Sequence, residues 1–391
     1  MTAPITTSPV TLDRQEFTGR LHRVRELMHD HGVEVAIAYG NSYLPGDVQY
    51  LTGYDPQLES AAVLVLPDDV LAIGGPEGEA MFADQAVLGS WRNLDSFKIP
   101  GQQYDGLRFW TLQEIFAEEL ARVPQRVGAL SAPGTLTWET VQHVRSTGSE
   151  LVDASPILRE LCYRKTSAEL AMFRTASAIA TAAMQAMLDA VQPGVTELTV
   201  AAAGDAAIKR LGAYAAGFDT IVCAGPRINT IIGRATKRTI GEGELVMLGV
   251  SPRYEGYCSA LGRTVVAGAP TRAQRAFLDH GVRAFELATE AFGVDRPAHG
   301  VDLAAREYLT RHGLSRYHTY GVGHGIGLSE CLEDRTATAV SDYNLPPGIA
   351  MMLDVGLFGH PEFVGSRHED PFVIDHHGRA EHLTDLPMAV H

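Results

Sequence analysis

The chain has 391 residues, of which 47 are acidic and 32 are Lys or Arg, so its formal net charge is −15. This acidic balance argues against nucleic acid as a partner, because binding to a phosphate backbone needs a basic surface. A hydrophobic content of 45% with 20% charged residues excludes a disordered chain. At roughly 100 to 200 residues per domain, the length predicts about two domains with full cores.

No segment of the sequence has the composition of a membrane span or a secretory signal. The most apolar helical stretch, residues 168–191, is interrupted by Arg174, Gln185 and Asp189, whereas a span needs about 20 apolar residues. The first twenty residues carry charged side chains and lack an apolar core. The cysteines show no CxxC spacing and are expected to be reduced thiols. These features predict a cytoplasmic protein with no membrane partner.

Helical and strand-like segments alternate in the first 150 residues. A helical start at 12–31 is followed by short apolar runs, typical of strands, at 33–39, 61–66, 70–74 and 126–130. Another helical stretch covers 112–121. This alternation predicts a layered α/β domain over residues 1–160.

A second domain is predicted over residues 161–391. Thr166 and Glu169 form a capping box, in which each side chain satisfies a free amide at the start of a helix. The long amphipathic helix that follows marks the domain boundary. The alternative is a long helix inside one continuous domain.

The second domain contains an apparent internal repeat. Residues 193–212 and 299–313 each contain a Gly-Val pair, then a helix-capping Thr196 or Asp302, then a helix that ends at glycine. A longer helix precedes each copy (169–190, 272–292), and strand-like segments follow each copy (244–250 and 256–266, 350–358 and 369–374). We expect two related halves that form one curved sheet with helices outside and a pocket between them. Chance similarity of two helix starts is the alternative.

The residues best suited to chemistry lie in the last third of the chain. His324 stands among four glycines, where backbone can approach a ligand closely. Asp354 lies in an apolar run, and a buried carboxylate needs a partner. Alternation along a strand places Arg367 and Glu369 on one face and residues 368 and 370 on the other. A structural histidine and a solvated turn with surface ion pairs are the alternatives.

These segments, in this order, resemble the creatinase and aminopeptidase P family, whose pita-bread fold is shared with methionine aminopeptidase and prolidase. The segments that carry the resemblance are GYCSALGRT (256–264), GHGIG (323–327), LPPGIAMMLD (345–354) and RHED (367–370), with a weaker match at 47–54. The resemblance implies a smaller N-terminal α/β domain and an α+β pita-bread catalytic domain with an internal pseudo-twofold duplication. It also implies a small-molecule substrate and a homodimer with the active site near the subunit interface.

The sequence departs from the metal-dependent members of this family, which hold two metal ions with two aspartates, one histidine and two glutamates. The two aspartate positions are Gly249 and Ala260, and the other three are His324, Asp354 and Glu369. Without the aspartate that bridges both metals, we expect no two-metal cofactor. A single metal on His324, Asp354 and Glu369 is the alternative.

Loss of both aspartates is similar to creatinase, the metal-free branch, which hydrolyses a carbon–nitrogen bond in a guanidino acid. Arg335, eleven residues after His324, matches the creatinase arginine that binds the substrate carboxylate. The creatinase catalytic histidine has no counterpart in residues 231–237. The resemblance therefore predicts metal-independent hydrolysis of a C–N bond in a small zwitterion, with a guanidino, amidino or N-substituted amino acid as substrate. Creatine itself is not the expected substrate.

Roles follow for the three best-placed side chains. His324 is the expected proton shuttle, and Glu369 is the group that could activate water. Asp354 and Glu369 are expected to hold a cationic nitrogen group. Which of these residues is the general base stays open at this point.

Further substrate contacts are expected at five positions. Tyr257 is expected to line the pocket, and Cys331 matches a second active-site histidine of the peptidases. Tyr54, Asp55 and Glu59 match a loop that reaches the partner subunit's pocket in this family, where they suit a cationic substrate end.

Three other functions stay open from the sequence. The first is a single-metal Xaa-Pro peptidase, and the second is a lyase that removes a proton next to a carboxylate. The third is a non-catalytic small-molecule-binding homologue.

Overall fold

The computed structural model describes residues 11–329 and 333–388. The chain divides into two compact units, one formed by residues 12–162 and the other by the residues from 163 onward. Among the described residues, no helix combines the length and the apolar character needed to cross a membrane.

The N-terminal unit is built around one mixed six-stranded sheet with the strand order β4-β3-β2-β1-β5-β6. Its core packs the inward side chains of the central strands against helix α4, through residues such as Ile37, Leu64 and Phe116. The elements in chain order are α1 (Arg14–Asp30), β1 (Val35–Gly40), α2 (Gly46–Thr52), β2 (Ala61–Val65), β3 (Val70–Gly74), α3 (Pro76–Gln85), β4 (Ser90–Asn93), α4 (Leu112–Leu120), β5 (Arg126–Ala129), α5 (Trp138–Ser146), β6 (Glu150–Asp153) and α6 (Ser155–Tyr163).

All four predicted strands and both predicted helices of this unit are present. The two strands that sequence patterning missed, β4 and β6, are the edges of the sheet. Each has only four residues, and neither carries a continuous apolar run. An edge strand pairs on one side only, so it needs less hydrophobic sequence than a central strand.

The C-terminal unit contains four long helices and a strongly paired eight-stranded sheet. Its helices are α7 (Ser167–Ala190), α8 (Glu197–Arg210), α9 (Arg272–Ala291) and α10 (Ala298–Arg311). Its strands are β7 (Ala215–Ala216), β8 (Ile221–Ala224), β9 (Leu245–Val250), β10 (Pro252–Tyr254), β11 (Tyr257–Cys258), β12 (Leu261–Val266), β13 (Gly323–Gly325), β14 (Glu333–Ala337), β15 (Ile349–His360), β16 (Val364–Ile374) and β17 (Ala380–His382).

The order of strands in the larger sheet confirms the predicted duplication. Most of the sheet runs β14-β13-β15-β16-β12-β9-β8, with β17 paired to β16. Strands β8, β9 and β12 follow the helix pair α7–α8, and β13, β15 and β16 follow the helix pair α9–α10 in the same way. The two trios meet where β12 pairs with β16. The midline of the sheet is therefore the junction of the two repeats.

The start of α10 differs from the prediction. Thr196 caps α8 through the backbone N–H of Thr199, as expected. Asp302 is not a cap, because α10 begins four residues earlier, after Pro297. The Asp302 carboxylate is buried inside the helix, where it pairs with Arg306 at 2.7 Å and accepts a hydrogen bond from the Val322 N–H. Asp302 thus ties α10 to the segment before β13.

Asp47, in the first turn of α2, is expected to make the stability of the protein depend on pH. Burial raises the pKa of Asp47 to about 6, against the opposing hydrogen bond from Ser131. The folded state therefore holds the proton more tightly than the unfolded state, so the free energy of unfolding falls as pH rises from about 4 to about 6.

The substitution Asp47→Asn should remove this fall and make the protein about 1 to 3 kcal/mol more stable at pH 7.5. Urea unfolding at pH 4.5 and pH 7.5 measures the difference, with the exposed Asp105→Asn as the matched control. Equal pH dependence in the wild type and the Asp47 variant would contradict the prediction.

Candidate active site

The centre of the larger sheet brings the predicted acids together. Asp354 on β15 lies directly opposite Glu369 on β16, and Glu369 lies opposite Gly262 on β12. Gly262 is in turn opposite Gly249 on β9. Since directly paired residues project from the same face of a sheet, these four positions form one row across the junction of the two repeats.

Arg367 links the two carboxylates in this row. Its Nη2 lies 2.9 Å from Oδ2 of Asp354 and 2.9 Å from Oε2 of Glu369, and its Nε donates to Oδ2 of Asp354 at 3.1 Å. All three side chains are buried. We call Asp354, Arg367 and Glu369 the carboxylate–guanidinium cluster.

Burial and the mutual contacts in the cluster shift the pKa values of all three side chains. Burial raises the pKa of Asp354 to about 6, although Arg367 acts in the opposite direction. Burial also acts to raise the pKa of Glu369, but Arg367 and His324 outweigh it and hold that pKa below its ordinary value. Burial acts to lower the pKa of Arg367, but the two carboxylates outweigh it and hold that pKa well above its usual range. At neutral pH the cluster therefore contains one guanidinium cation and two carboxylates.

His324 adjoins the cluster from the neighbouring strand β13. Its Nε2 lies 3.6 Å from Oε1 of Glu369, and its Nδ1 lies 3.1 Å from the carbonyl oxygen of Gly325. The His324 side chain keeps 15% of its surface exposed, whereas that of Glu369 keeps none. His324 is thus the more accessible member of this acid–base pair.

Tyr320 is a site residue that sequence reasoning missed. Its hydroxyl donates to Oδ1 of Asp354 at 3.1 Å. A side chain at Gly356 would place its Cβ 2.1 Å from that hydroxyl, so the tyrosine occupies space that only glycine leaves open. The sequence gives no direct signal, because Tyr320 stands in an irregular segment outside the GHGIG motif.

The opposite face of β16 carries a separate network. Asp370 pairs with Arg263 at 2.7 Å and with His382 at 2.8 Å, and His368 packs against Gly281 of α9. Arg263 also donates to the backbone carbonyl oxygens of residues 262, 369, 386 and 387. The predicted alternation therefore separates the site from a structural network on the other side of the sheet.

Two of the remaining predicted contacts of the C-terminal unit have partners outside this cluster. The Tyr257 hydroxyl is buried and donates to Glu169 at 2.8 Å. The Arg335 guanidinium lies over the rings of Tyr163 and Tyr343, with its Cζ 4.9 and 5.4 Å from their centroids. Cys331 lies outside the described residues.

The three predicted residues of the N-terminal unit have internal partners. Tyr54 is buried and packs edge-on against Phe82 and Trp91, with centroids 5.5 and 5.7 Å away. Glu59 is also buried and accepts hydrogen bonds from the N–H groups of Gly78 and Ile99. The Asp55 N–H donates to the Gln85 side chain at 3.2 Å. Tyr54 and Glu59 thus contribute directly to the packing of their own unit.

The donor set does not fit a two-metal centre. A Cβ at Gly249 would lie 3.2 Å from both Cβ and Cδ1 of Ile221, so an apolar side chain fills the space next to the first missing ligand. Ala260 is buried in an apolar cluster with Phe173, Ile326 and Met352. Among the residues that the structure describes, no group of three or more His, Cys, Asp or Glu side chains is arranged to hold a metal ion.

Comparison with known proteins identifies the family. Residues 171–376, a little more than half of the chain, match metallopeptidase family M24. Residues 20–161 match the creatinase/prolidase N-terminal domain. The chain belongs to the M24 metallopeptidase family. Its two parts are the creatinase/prolidase N-terminal domain and the pita-bread domain of this M24 protein.

Its relatives include several Xaa-Pro dipeptidases. The chain is 29% identical to that of Pyrococcus furiosus over 272 residues, which cover 68% of this chain and 76% of the relative. It is 28% identical to that of Lactobacillus helveticus over 374 residues, 92% of this chain and 95% of the relative. The prolidase structure from Pyrococcus horikoshii OT3 has a TM-score of 0.81, 21% identity, and coverage of 94% of this chain and 99% of that one. This structural likeness shows the shared fold.

The comparisons confirm the predicted class of enzyme, and they favour a different branch of the family from the one that the sequence predicted. The expectation of a hydrolase that acts on carbon–nitrogen bonds is confirmed at the level of the family. The relatives named above are Xaa-Pro dipeptidases, so they do not support placement in the metal-free creatinase branch. They favour the peptidase that the sequence left as an alternative.

Gly249 and Ile221 provide a direct test of the site's packing. The substitution Gly249→Ala should lower the free energy of unfolding by about 1 to 3 kcal/mol, because the new methyl group meets Ile221. In an Ile221→Val background, which lacks Cδ1, the same substitution should cost less. Urea unfolding of the four proteins measures the coupling.

The control is Gly134→Ala, since a Cβ at Gly134 has no heavy atom within 4 Å. This variant should stay within about 0.5 kcal/mol of the wild type. Equal losses for Gly249→Ala in both backgrounds would show that Ile221 does not fill the space.

Proposed function

We propose that this M24 protein hydrolyses a carbon–nitrogen bond in a small zwitterionic substrate without a two-metal centre. The observation that carries the proposal is the position of Arg367 between Asp354 and Glu369. A guanidinium there supplies an internal counter-ion to the two carboxylates. Gly249 and Ala260 supply no ligand at the two aspartate positions.

The chemistry is assigned to His324 and Glu369. The attacking water is assigned to the exposed side of this pair, in which Nε2 of His324 and Oε1 of Glu369 lie 3.6 Å apart. The water oxygen forms a bond to the substrate carbon, and its proton passes to this pair. The C–N bond then breaks, and His324 returns a proton to the leaving nitrogen. Glu369 suits the role of base because its lowered pKa keeps it ionised.

Substrate binding completes the proposal. Arg335 is assigned to the substrate carboxylate, and the two tyrosine rings beneath its guanidinium would hold that plane in place. Asp354 is assigned to orient Arg367, because its Oδ2 accepts from Nε of that residue at 3.1 Å and lies 2.9 Å from Nη2. A cytoplasmic homodimer with the active site near the subunit interface is also part of this proposal.

The second candidate is a metal-dependent Xaa-Pro dipeptidase. The family match and the names of the relatives favour it. It would use His324, Asp354 and Glu369 as the metal ligands. The two candidates therefore differ in whether the active protein contains a metal.

Removal of metal tests the two candidates against each other. The purified protein should contain well below one equivalent of Mn, Fe, Co or Zn per chain, measured by elemental analysis. Its hydrolysis of Xaa-Pro dipeptides and N-substituted amino acids should be unchanged after dialysis against a chelator. Near one equivalent of metal, with activity lost on chelation and restored by Mn²⁺, would establish the second candidate instead.

His324→Asn tests the assigned acid–base pair. Asparagine keeps a planar polar group but cannot transfer a proton near neutral pH, so kcat should fall by roughly 10² to 10⁴ while KM changes little. The exposed His377→Asn is the matched control and should keep the parent's turnover. A His324 variant that melts like the parent and keeps most of its kcat would place the chemistry elsewhere.

A further inference from the structure

We infer that Arg367 is the group that polarises the scissile carbon, through a hydrogen bond from its Nη1 to a substrate carbonyl oxygen. This inference rests on the proposed hydrolysis and narrows its substrate class. It assigns the site to amide-like or carbamoyl C–N bonds and not to guanidino or amidino groups.

The first support is that one nitrogen of the Arg367 guanidinium, Nη1, has no acceptor within the described part of the chain. Nε and Nη2 of Arg367 bind the two carboxylates of the cluster. Nη1 is buried and has no hydrogen-bond partner among the residues that the structure describes. A buried donor without an acceptor is unfavourable by about 1 to 3 kcal/mol, and more when the donor is charged. An acceptor oxygen on a bound substrate would remove this penalty.

The second support is the rigidity of the guanidinium. The backbone N–H of Arg367 donates to Oγ1 of Thr264 at 2.9 Å, which fixes the residue against β12. A Cβ at Gly262 would lie 2.9 Å from the Glu369 Cβ and 3.2 Å from the Arg367 Cγ. The absence of that side chain lets both residues pack closely on β12. A donor held in this way needs no reorganisation when charge develops on its acceptor.

The third support is the charge and donor pattern of the possible substrates. A carbonyl oxygen accepts hydrogen bonds, so it is complementary to a guanidinium N–H. A protonated guanidino or amidino group carries N–H donors and no acceptor atom, so it cannot accept a hydrogen bond from Nη1 of Arg367. The unpartnered donor would therefore favour an amide over a creatine-like group.

The proposed reaction is the addition of water to the carbonyl carbon, followed by loss of the amine. The water oxygen bonds to the carbonyl carbon, its proton passes to the His324–Glu369 pair, and the C=O π electrons move onto oxygen as an oxyanion held by Nη1 of Arg367. The oxyanion then re-forms the carbonyl while the C–N bond breaks. The leaving nitrogen takes the proton, and the products are a carboxylic or carbamic acid and an amine.

The substrate class can be tested by measuring the binding of two ligands that share the same carbon–nitrogen skeleton. N-carbamoylsarcosine and creatine differ in that the first has a carbonyl oxygen where the second has a charged amidino nitrogen. Calorimetry should show the wild type binding N-carbamoylsarcosine at least about tenfold more tightly. In Arg367→Lys, which keeps the charge but loses the fork, this preference should shrink to less than about threefold.

Kinetics on the best amide substrate test the catalytic role. Arg367→Lys should lose about 10² to 10³ in kcat with a smaller change in KM. The turnover of Arg367→Ala should be partly restored by millimolar ethylguanidinium and not by ethylammonium, which has the same charge without the planar fork. A merely structural role predicts no such rescue.

The outcomes separate this inference from the proposed function. A wild type that hydrolyses amides while Arg367→Lys keeps its kcat would overturn the inference and leave the proposed function intact. A wild type that turns over no substrate but prefers the carbonyl ligand through Arg367 would support the inference and overturn the proposed hydrolysis. Equal or tighter binding of creatine by the wild type would overturn the inference, whether or not any variant folds.

Discussion

The candidate site depends on one buried cation, the guanidinium of Arg367, held between Asp354 and Glu369. Two adjacent carboxylates on neighbouring strands would repel each other in a buried environment, and their desolvation is unfavourable by several kcal/mol per ion. Arg367 makes the arrangement possible because its planar fork contacts both acids at once. Small residues are part of the same arrangement, since side chains at Gly262 and Gly356 would occupy the space of the cluster and of Tyr320. Glycine at these two positions thus leaves room for the buried guanidinium and its partners.

One face of β16 carries the candidate site, and the other face carries the buried ion-pair network around Asp370. Arg367 and Glu369 point to the candidate site, while Asp370 points to Arg263 and His382 on the other side. A shift of the register by one residue would exchange these faces and place the wrong charges together. The eleven-residue pairing of β15 with β16 therefore does more than extend the sheet, because it fixes which carboxylate meets which arginine. The repeat junction at β12 and β16 holds that register from the other side.

Sequence patterns predicted those parts of the fold that depend on local chemistry. Capping residues such as Thr166 and long apolar faces marked the helices, and continuous apolar runs marked the central strands. The edge strand β6 was missed because none of its four residues is buried, so it carries no apolar pattern. Asp302 was misassigned because its ion pair with Arg306 and its bond to Val322 depend on tertiary neighbours. In the site, motif positions identified His324, Asp354 and Glu369, but the partners that set their charges come from packing. Tyr320 and the role of Arg367 could be identified only from the pairing register of β15 with β16 and from the side-chain contacts.

The family relationship and the site residues bear on different questions. Identity of 28% over 92% of the chain, together with the shared fold, shows a common scaffold and does not by itself name the reaction. The proposed reaction depends on far fewer positions, and Gly249 and Ala260 stand at two positions where the family resemblance implies aspartate. The two carboxylates and one guanidinium of the cluster leave a single excess negative charge. The raised pKa of Asp354, about 6, lies where one added proton would cancel that charge. The proposed function accounts for this charge arrangement with Arg367 as the counter-ion of both acids, while the fold stays that of the M24 family.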